Sequence, residues 1–114
     1  MDEYIRLMNK SEDYIEKNLS EKISLDDLAI NANMSKYHFH RIFSKYSSET
    51  VKQFVTRIKI ERSGIFLAVR TDLSITDIAF RYGYNDVSTY NKAFKKHLGM
   101  SPLEFRKARN DKNS

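Results

Sequence analysis

Two stretches of the chain, residues 36–46 and 87–98, concentrate side chains that donate hydrogen bonds and neutralise negative charge. Each stretch contains three basic groups and no acidic one. The guanidinium of Arg41 can bond through two donors to the edge of guanine, and the amide of Asn91 can bond in the same two-point manner to adenine. Ordinary solvated or intrahelical charge is the alternative for Arg41 and for Lys92. The combination of cations and hydrogen-bonding groups is typical of a surface that reads duplex nucleic acid.

Other polar groups in the two stretches leave more than one role open. His40, Ser88, Thr89 and Lys92 can bond to base edges or to phosphates. Tyr37 can lay its ring on a thymine methyl, donate to a phosphate, or lie half-buried against its own domain. Phosphate contact, which positions a protein without reading sequence, is predicted for four lysines: Lys36, Lys45, Lys95 and Lys96.

An internal repeat supplies the elements that must position these side chains. Residues 24–34 align with residues 74–84 at an offset of 50, and a Ser, an Asp and an Ala recur at matching places. After one extra residue the offset becomes 51, and the aromatic positions 39, 43 and 54 then match 90, 94 and 105. Two copies are too few for a solenoid and indicate a duplicated supersecondary unit.

Each copy is predicted to form a helix, a tight turn and a second helix. Asn33 and Gly83 stand at the two turns, and these residue types tolerate the left-handed backbone that ends a helix. The predicted N-cap residues of the four helices are Ser24, Ser35, Ser74 and Asp86. The first helices are predicted to bury Leu25, Leu28, Ala29 and Ala32 in one copy, and Ile75, Ile78, Ala79 and Tyr82 in the other.

Helical periodicity divides each second helix into a buried and an exposed face. The predicted buried positions are Phe39, Ile42, Phe43 and Tyr46 in the first copy, and Tyr90, Ala93, Phe94 and His97 or Leu98 in the second. The outward rows are Lys36, Tyr37, His40, Arg41 and Ser44, and Val87, Ser88, Asn91, Lys92 and Lys95. A polar stripe on a slim helix has the form of a recognition helix, which enters a major groove roughly 12 Å wide.

Three more helices complete a predicted all-α, homeodomain-like fold of about seven helices. An amino-terminal helix from about 3 to 18 has its apolar stripe at Tyr4, Ile5, Met8, Tyr14 and Ile15. A long helix over about 50–70 joins the copies through Phe54, Val55, Ile58, Ile65 and Val69, and Gly64 inside it predicts either close packing or a weak point. A final helix over about 102–109 begins at Pro102, and residues 110–114 are predicted to fray.

One domain is therefore predicted over residues 1–114, with helix-turn-helix unit one at about 20–48 and unit two at about 74–99. A joining helix of about 19 residues is about 28 Å long, comparable with the roughly 34 Å that separates successive major-groove segments on one face of DNA. Because the two outward rows are unlike, the predicted site is asymmetric and about two helical turns long. Bending of the DNA would absorb any mismatch in spacing.

Composition restricts the class of protein. The 114 residues carry a formal net charge of +5, which divides into four basic and eight acidic groups over residues 1–33 and sixteen basic and seven acidic groups thereafter. Three Gly and one Pro are too few for a many-stranded sandwich or barrel. The chain has no Cys, which excludes a disulfide scaffold and is consistent with the predicted cytoplasmic location. No apolar run approaches the roughly 20 residues that span a bilayer.

Neither catalysis nor a metal or cofactor is predicted. His38 and His40 lie about 200° apart around a helix and cannot share a metal ion, and His97 has no acid near it in sequence to orient it. Glycine-rich phosphate loops and nucleophile-elbow or zinc-protease motifs are absent from the sequence. The alternative function is a basic helical module that binds proteins or nonspecific nucleic acid, although such a module would not need two matched units.

The motifs together resemble the DNA-binding domain of AraC/XylS transcriptional regulators. The resemblance rests on Ser-Leu-x-x-Leu-Ala with Met-Ser-x-x-x-Phe-x-Arg-x-Phe over 24–43, Ile-x-Asp-Ile-Ala-x-x-x-Gly-Tyr over 75–84, and Phe-Lys-Lys-His-Leu-Gly-Met-Ser-Pro-x-Glu-Phe-Arg over 94–106. It implies seven helices, two helix-turn-helix units on a long helix, and a monomeric domain that contacts two major-groove segments of double-stranded DNA. Base contact is implied for Tyr37, His40 and Arg41 in unit one and for Ser88, Thr89, Asn91 and Lys92 in unit two.

The chain departs from that pattern at two positions, with Asn33 where Gly is frequent and Gly64 where Ala is common. The segment 37–43 with Glu49-Thr-Val is similar to family members that carry a gyrase-inhibitor-type effector domain after the DNA-binding part. An effector ligand is accordingly expected only if a further domain lies outside this chain. RNA polymerase is the other partner that the resemblance implies.

Overall fold

Seven α-helices make up the part of the chain that the computed structural model describes, which is residues 2–112, with side chains through residue 110. They are α1 (Asp2–Lys17), α2 (Leu25–Asn31), α3 (Lys36–Tyr46), α4 (Val51–Val69), α5 (Ile75–Arg81), α6 (Val87–Leu98) and α7 (Pro102–Lys112). The prediction of an all-α fold with two helix-turn-helix units and a long central helix is confirmed. The prediction that the chain frays from residue 110 is wrong for residues 110–112, because α7 extends to Lys112. Residues 113–114 lie outside the described residues.

Side-chain caps begin the helices at the residues that the repeat predicts. Ser24 Oγ accepts a hydrogen bond from the backbone N–H of Asp27 at 3.2 Å, and the Asp27 carboxylate accepts one from the Ser24 N–H at 2.9 Å. The same reciprocal box recurs at Ser74 and Asp77, at 3.0 and 3.2 Å. Each box satisfies two backbone donors that a helix start leaves without a partner. Short helices that would be marginal alone are thereby given defined starting points.

Left-handed backbone occurs at both helix-turn-helix turns. Asn33 has φ 57° and Gly83 has φ 88°. A Cβ added at Gly83 would lie 2.9 Å from the backbone oxygen of Ser20, which is closer than real Cβ contacts come. The two turns share a conformation, but only the second also requires a residue without a side chain.

The chain divides into two packed units. Of the described residues, the first unit comprises 2–18 and 22–58, and the second comprises 19–21 and 59–112. In the first unit the rings of Phe39 and Phe43 stack at 6.3 Å and Phe43 meets Phe54 edge-on at 5.6 Å. Its buried hydrophobic residues are Leu7, Ile15, Leu28, Ala29, Ala32, Phe39, Ile42, Phe43, Phe54, Val55 and Ile58. This core is hydrocarbon where it supports α3.

The second unit has a core that includes a buried polar contact. Tyr90 and Phe94 of α6 pack edge-on at 5.8 Å, and Phe94 meets Phe105 of α7 at 5.4 Å. The Tyr90 hydroxyl donates to Ser63 Oγ at 2.8 Å, and both residues are buried. The buried cluster is Ile60, Leu67, Ile78, Ala79, Tyr82, Tyr90 and Phe94. A hydrogen bond is therefore part of the packing that supports α6.

Four residues predicted to be buried are exposed. Ile5 is 50% exposed because the buried stripe of α1 runs through Leu7, Ser11 and Ile15, and Ile5 lies about 200° around the helix from Leu7. Tyr46 is the last residue of α3, at the edge of the core, where its ring lies 5.1 Å from that of Tyr4.

The second half of α4 accounts for the other two exposed residues. Its buried positions include Ser63 and Leu67, whereas Ile65 and Val69 are 57% and 70% exposed. Each exposed residue follows a buried one by two positions, or about 200° around the helix. The predicted stripe therefore holds for the first half of α4 and is wrong for the second.

Gly64 lies in close packing, which is one of the two outcomes that the sequence predicts for it. A Cβ built on Gly64 would lie 3.4 Å from the Phe105 ring and 3.9 Å from Leu98. These are ordinary van der Waals distances, so α7 and the end of α6 pack directly on this part of α4.

Candidate nucleic-acid interface

The structure places the predicted outward row of α3 on an exposed face. Ser35 caps the helix by accepting from the backbone N–H of His38 at 3.0 Å. Tyr37 is 78% exposed, which rules out the alternative of a half-buried ring. The whole predicted row is exposed: Lys36, Tyr37, His40, Arg41 and Ser44.

Arg41 is held by a short relay of side chains. Its Nη2 lies 3.2 Å from His38 Nδ1, and His38 Nε2 lies 2.9 Å from Glu3 Oε1 of α1. Because a guanidinium is only a donor, His38 Nδ1 must accept from Arg41, and Nε2 then carries the proton that is donated to Glu3. The neutral imidazole is thus the form that can make both contacts.

Other polar groups of α3 are also engaged within unit one. Lys36 Nζ lies 3.7 Å from Asp26 Oδ1, in a pair exposed to solvent on both sides. Ser44 Oγ lies 3.4 Å from His40 Nε2 and 3.5 Å from its Nδ1. The Lys45 ammonium lies over the ring of Tyr46, 5.2 Å from its centroid. These exposed contacts are weak in water, and a ligand that offers better partners can replace them.

A carboxylate caps α6. Asp86 accepts from the backbone N–H of Thr89 at 2.7 Å, and the Thr89 hydroxyl donates to the other carboxylate oxygen at 3.1 Å. The backbone N–H of Thr89, followed by its hydroxyl, holds the pKa of Asp86 below its ordinary value. The hydroxyl proton of Thr89 is therefore already donated, and its oxygen is left with acceptor capacity alone.

Four members of the predicted outward row of α6 are exposed and make no side-chain hydrogen bond within the described residues. They are Ser88, Asn91, Lys92 and Lys95, with Lys96 beside them. Val87 is half-buried, so this position of the predicted row is wrong. As the first residue of α6, it lies next to the turn and is partly covered.

Some basic groups of the carboxyl-terminal part have structural roles within the second packed unit. Lys59 is buried and its Nζ donates to the backbone oxygen of Glu21 at 2.6 Å, while burial lowers its pKa. Arg106 donates to the backbone oxygens of Leu67 at 3.0 Å and Arg70 at 3.2 Å, which closes the last turn of α4. These two basic groups are therefore engaged within the protein, and α3 and α6 are the helices that contain basic groups and no acidic one.

Sequence reasoning missed the groups that orient the interface. His38 and Arg41 are three residues apart on a helix, a spacing at which side chains meet, so their contact had a local signal. The Glu3 partner of His38 lies 35 positions away, and the Ser63 partner of Tyr90 lies 27 positions away. Long-range partners of this kind follow from tertiary packing and leave no local signal.

The described part of the chain has no clustered metal ligands and no membrane-spanning helix. It holds no group of three or more His, Asp or Glu side chains arranged to hold a metal ion. None of its helices has both the length and the apolar character that crossing a membrane requires.

Known proteins are similar to this chain in sequence and in fold. The model of a helix-turn-helix domain family matches residues 28–108. The HTH-type transcriptional activator AarP of Providencia stuartii is 33% identical over 93 residues, which cover 82% of this chain and 68% of AarP. The bifunctional transcriptional activator/DNA repair enzyme AdaA of Bacillus subtilis is 33% identical over 94 residues, which cover 82% of this chain and only 44% of AdaA.

A solved structure supports the fold. The crystal structure of a transcriptional regulator from Chromobacterium violaceum, described as an AraC-type DNA-binding domain-containing protein, superposes with a TM-score of 0.81. The match covers 90% of this chain and 91% of that one, at 22% identity. The family match, the relatives and the two capped helix-turn-helix units agree. The chain belongs to the AraC-type helix-turn-helix family of sequence-specific DNA-binding transcription regulators.

Proposed function

We propose that α3 and α6 each read one major-groove segment of a single asymmetric duplex site. The observation that carries the proposal is that two equivalent, similarly capped helices expose unlike rows of polar side chains. Equivalent scaffolds with different reading groups recognise different half-sites, so the site is not a palindrome. The proposed domain is 1–114, with unit one at about 20–48, the joining helix at about 50–70, unit two at about 74–99 and the final helix at about 102–109.

In unit one, Arg41 is the proposed guanine reader. Its relay to His38 and Glu3 limits the conformations of the guanidinium, which reduces the entropy lost when it bonds to a base edge. His40 is the proposed polar neighbour of Arg41, and the exposed Tyr37 ring is proposed to lie on a thymine methyl or donate to a phosphate. Binding exchanges the weak contact between His40 and Ser44 for one to DNA.

In unit two, Asn91 is the proposed adenine reader. Its amide is exposed and can present one donor and one acceptor to the base edge. Ser88 and Lys92 are proposed to contact bases beside it. Thr89 is proposed to contact a base as an acceptor or through its methyl group, because its hydroxyl proton is held by Asp86.

Four lysines are proposed to hold phosphates. They are Lys36, Lys45, Lys95 and Lys96, all exposed. The Lys36 ion pair with Asp26 is exposed by 63% on both sides, so a phosphate can replace the carboxylate at little cost. Each phosphate contact releases counterions and makes the affinity fall with salt.

We further propose a non-catalytic role in the cytoplasm, with RNA polymerase as a protein partner and an effector ligand only where a further domain is present. The relative AarP, named as a transcriptional activator alone, supports the non-catalytic role. The name of AdaA includes a repair activity, but this chain matches only 44% of AdaA.

Selection of bound duplexes from a random pool tests the proposal. We expect an asymmetric motif of about two helical turns. Arg41→Ala should then cost about 1–3 kcal/mol of binding free energy and relax specificity in one half of the motif. Lys95→Ala should weaken binding to all sequences alike and lower the slope of log affinity against log salt by about 1.

Two variants on α1 serve as matched controls. Arg6→Ala removes the same group as Arg41→Ala, and Lys17→Ala the same group as Lys95→Ala, from exposed positions outside α3 and α6. Both should leave the selected motif, the affinity and its salt dependence unchanged. Recovery of no motif, or equal affinity for random duplex and RNA, would contradict the proposal and favour a nonspecific basic module.

A further inference from the structure

We propose that Tyr90 and Ser63 form a positioning pair that fixes the rotation of α6 about its own axis and so sharpens base discrimination by unit two. The inference rests on the proposed function, because it assumes that α6 reads bases. Neither residue faces the groove. Both act through the placement of the exposed row on α6.

The pair belongs to a buried hydrogen-bond chain with one direction. The Tyr90 hydroxyl donates to Ser63 Oγ at 2.8 Å, and Ser63 Oγ donates to the backbone oxygen of Ile60 at 2.7 Å. All three residues are fully buried. Because the Ser63 proton is given to its own helix, Ser63 can serve Tyr90 only as an acceptor. Burial raises the pKa of the Tyr90 phenol, so the donor stays protonated at neutral pH.

Ring packing alone holds Tyr90 less specifically. Its ring lies 5.3 Å from that of Tyr84 and 5.8 Å from that of Phe94, both at tilted or edge-on angles. Apolar contacts of this kind resist separation but have little directional preference, whereas a hydrogen bond weakens steeply when it is misaligned. The hydroxyl end of Tyr90 therefore adds an angular restraint between α6 and α4.

An angular restraint matters for base reading because small rotations move side chains far. Reading groups lie about 5–6 Å from a helix axis, so a rotation of about 10° moves them by about 1 Å. Donor–acceptor distances in good hydrogen bonds span only about 0.5 Å. Asn91 and Lys92 directly follow Tyr90 in the chain, so a loosened Tyr90 displaces the readers that discriminate most.

Unit one lacks this device. Phe39 is at the position equivalent to Tyr90, is fully buried, and stacks on Phe43 at 6.3 Å. A phenyl ring has no hydroxyl to place. The pair therefore predicts an effect confined to the half-site that unit two reads.

The test compares Tyr90→Phe with the unsubstituted protein on the selected duplex and on duplexes altered in one half at a time. Discrimination in one half is the dissociation constant for the duplex altered in that half, divided by the dissociation constant for the selected duplex. We expect Tyr90→Phe to reduce discrimination about 3–10-fold in the half read by unit two, as the loss of one ordinary hydrogen bond would. Discrimination in the other half and the salt dependence should not change.

Two further variants separate positioning from stability. Ile78→Val trims the same buried core without touching the hydrogen bond, so it should lower the thermal midpoint and keep full discrimination. Ser63→Ala leaves the Tyr90 hydroxyl buried without a partner, so it should lower both. Combining Ser63→Ala with Tyr90→Phe removes that hydroxyl and should recover stability but not discrimination.

Three results would overturn the inference: full discrimination by Tyr90→Phe, an equal loss in Ile78→Val, or recovered discrimination in the double variant. If Ser63→Ala does not fold, Tyr90→Phe against Ile78→Val decides alone. Asn91→Ala distinguishes failure of the inference from failure of the proposed function. Unaltered discrimination in Asn91→Ala would mean that α6 does not read bases there, whatever Tyr90 does.

Discussion

The two helices proposed to read DNA have similar caps and positions in the repeat, but their exposed side chains make different contacts within the protein. On α3, Arg41 is bonded to His38 and Lys36 is paired with Asp26. On α6, Asn91 and Lys92 make no side-chain hydrogen bond within the described residues. On the buried side the contrast is the opposite. The buried face of α3 packs through phenyl rings, whereas α6 is also hydrogen-bonded to α4 through the Tyr90 hydroxyl.

This difference separates two ways of making a reader specific. Unit one orients a side chain on a helix that is held by apolar packing. Unit two orients the helix, and the side chains proposed to read bases are left to settle on the base edges. Both routes reduce the conformational freedom that is lost on binding, one at the side chain and one at the backbone. A duplicated scaffold can therefore differentiate at the face that reads DNA and also in the core behind it.

Removal of one core ring from each unit gives the largest expected effect. Phe43→Ala and Phe94→Ala should each lower the free energy of unfolding by about 3–5 kcal/mol, because both rings are buried and each leaves a cavity. Hydrogen exchange should show the loss of protection mainly in α1–α3 for the first variant and in α5–α7 for the second. Uniform loss along the chain in both variants would contradict the division into two separately packed cores.

Local signals made much of this fold predictable. Three features are short-range: the reciprocal Ser–Asp caps, Pro102 at a first helical position, and turn residues with left-handed backbone. The repeat shows the caps and the turns twice. The prediction of buried residues failed where burial depends on which other elements pack against a helix face. Ile65 and Val69 are apolar and suitably spaced, yet they are 57% and 70% exposed. Hydrophobic spacing predicts which residues share a face, and tertiary packing decides which face is buried.

The candidate site was predictable as a surface and less so as a mechanism. Exposure of the α3 row and most of the α6 row followed from the alternation with buried aromatic residues. The relay from Glu3 to Arg41 and the bond from Tyr90 to Ser63 join residues far apart in sequence. Single-sequence periodicity cannot identify such partners.

Substitutions at the two helix-turn-helix turns compare the units further, and their expected effects on stability are intermediate in size. Asn33→Ala should cost about 1 kcal/mol of unfolding free energy, since a Cβ-bearing residue other than Asn is disfavoured at φ 57°. Gly83→Ala should cost about 2 kcal/mol or more, because its Cβ would also approach the Ser20 oxygen to 2.9 Å. Chemical denaturation of both variants measures the difference. Equal costs would mean that the segment around Ser20 moves away without penalty.

Exchange of the two N-caps gives the smallest effect, which is present at neutral pH and disappears in acid. The folded-state pKa of Asp86 lies below its ordinary value because the backbone N–H and the hydroxyl of Thr89 bond to the carboxylate. The stabilisation of α6 is therefore complete above the unfolded-state pKa and is lost as the pH falls through the folded-state pKa. Ser35 has no titrating group, so the cap of α3 has no such dependence.

Asp86→Ser should therefore have a lower free energy of unfolding than the unsubstituted protein at neutral pH. The two values should converge as the pH falls below about 4, because the stabilisation by the ionised carboxylate is lost there. Ser35→Asp should produce the opposite pattern in unit one, with an added stability that acid removes. Urea unfolding at a series of pH values measures both differences, and subtraction of the parent curve cancels the other carboxylates. A difference that stays constant from neutral pH to acid in Asp86→Ser would show that the carboxylate does not cap α6 as a charged group.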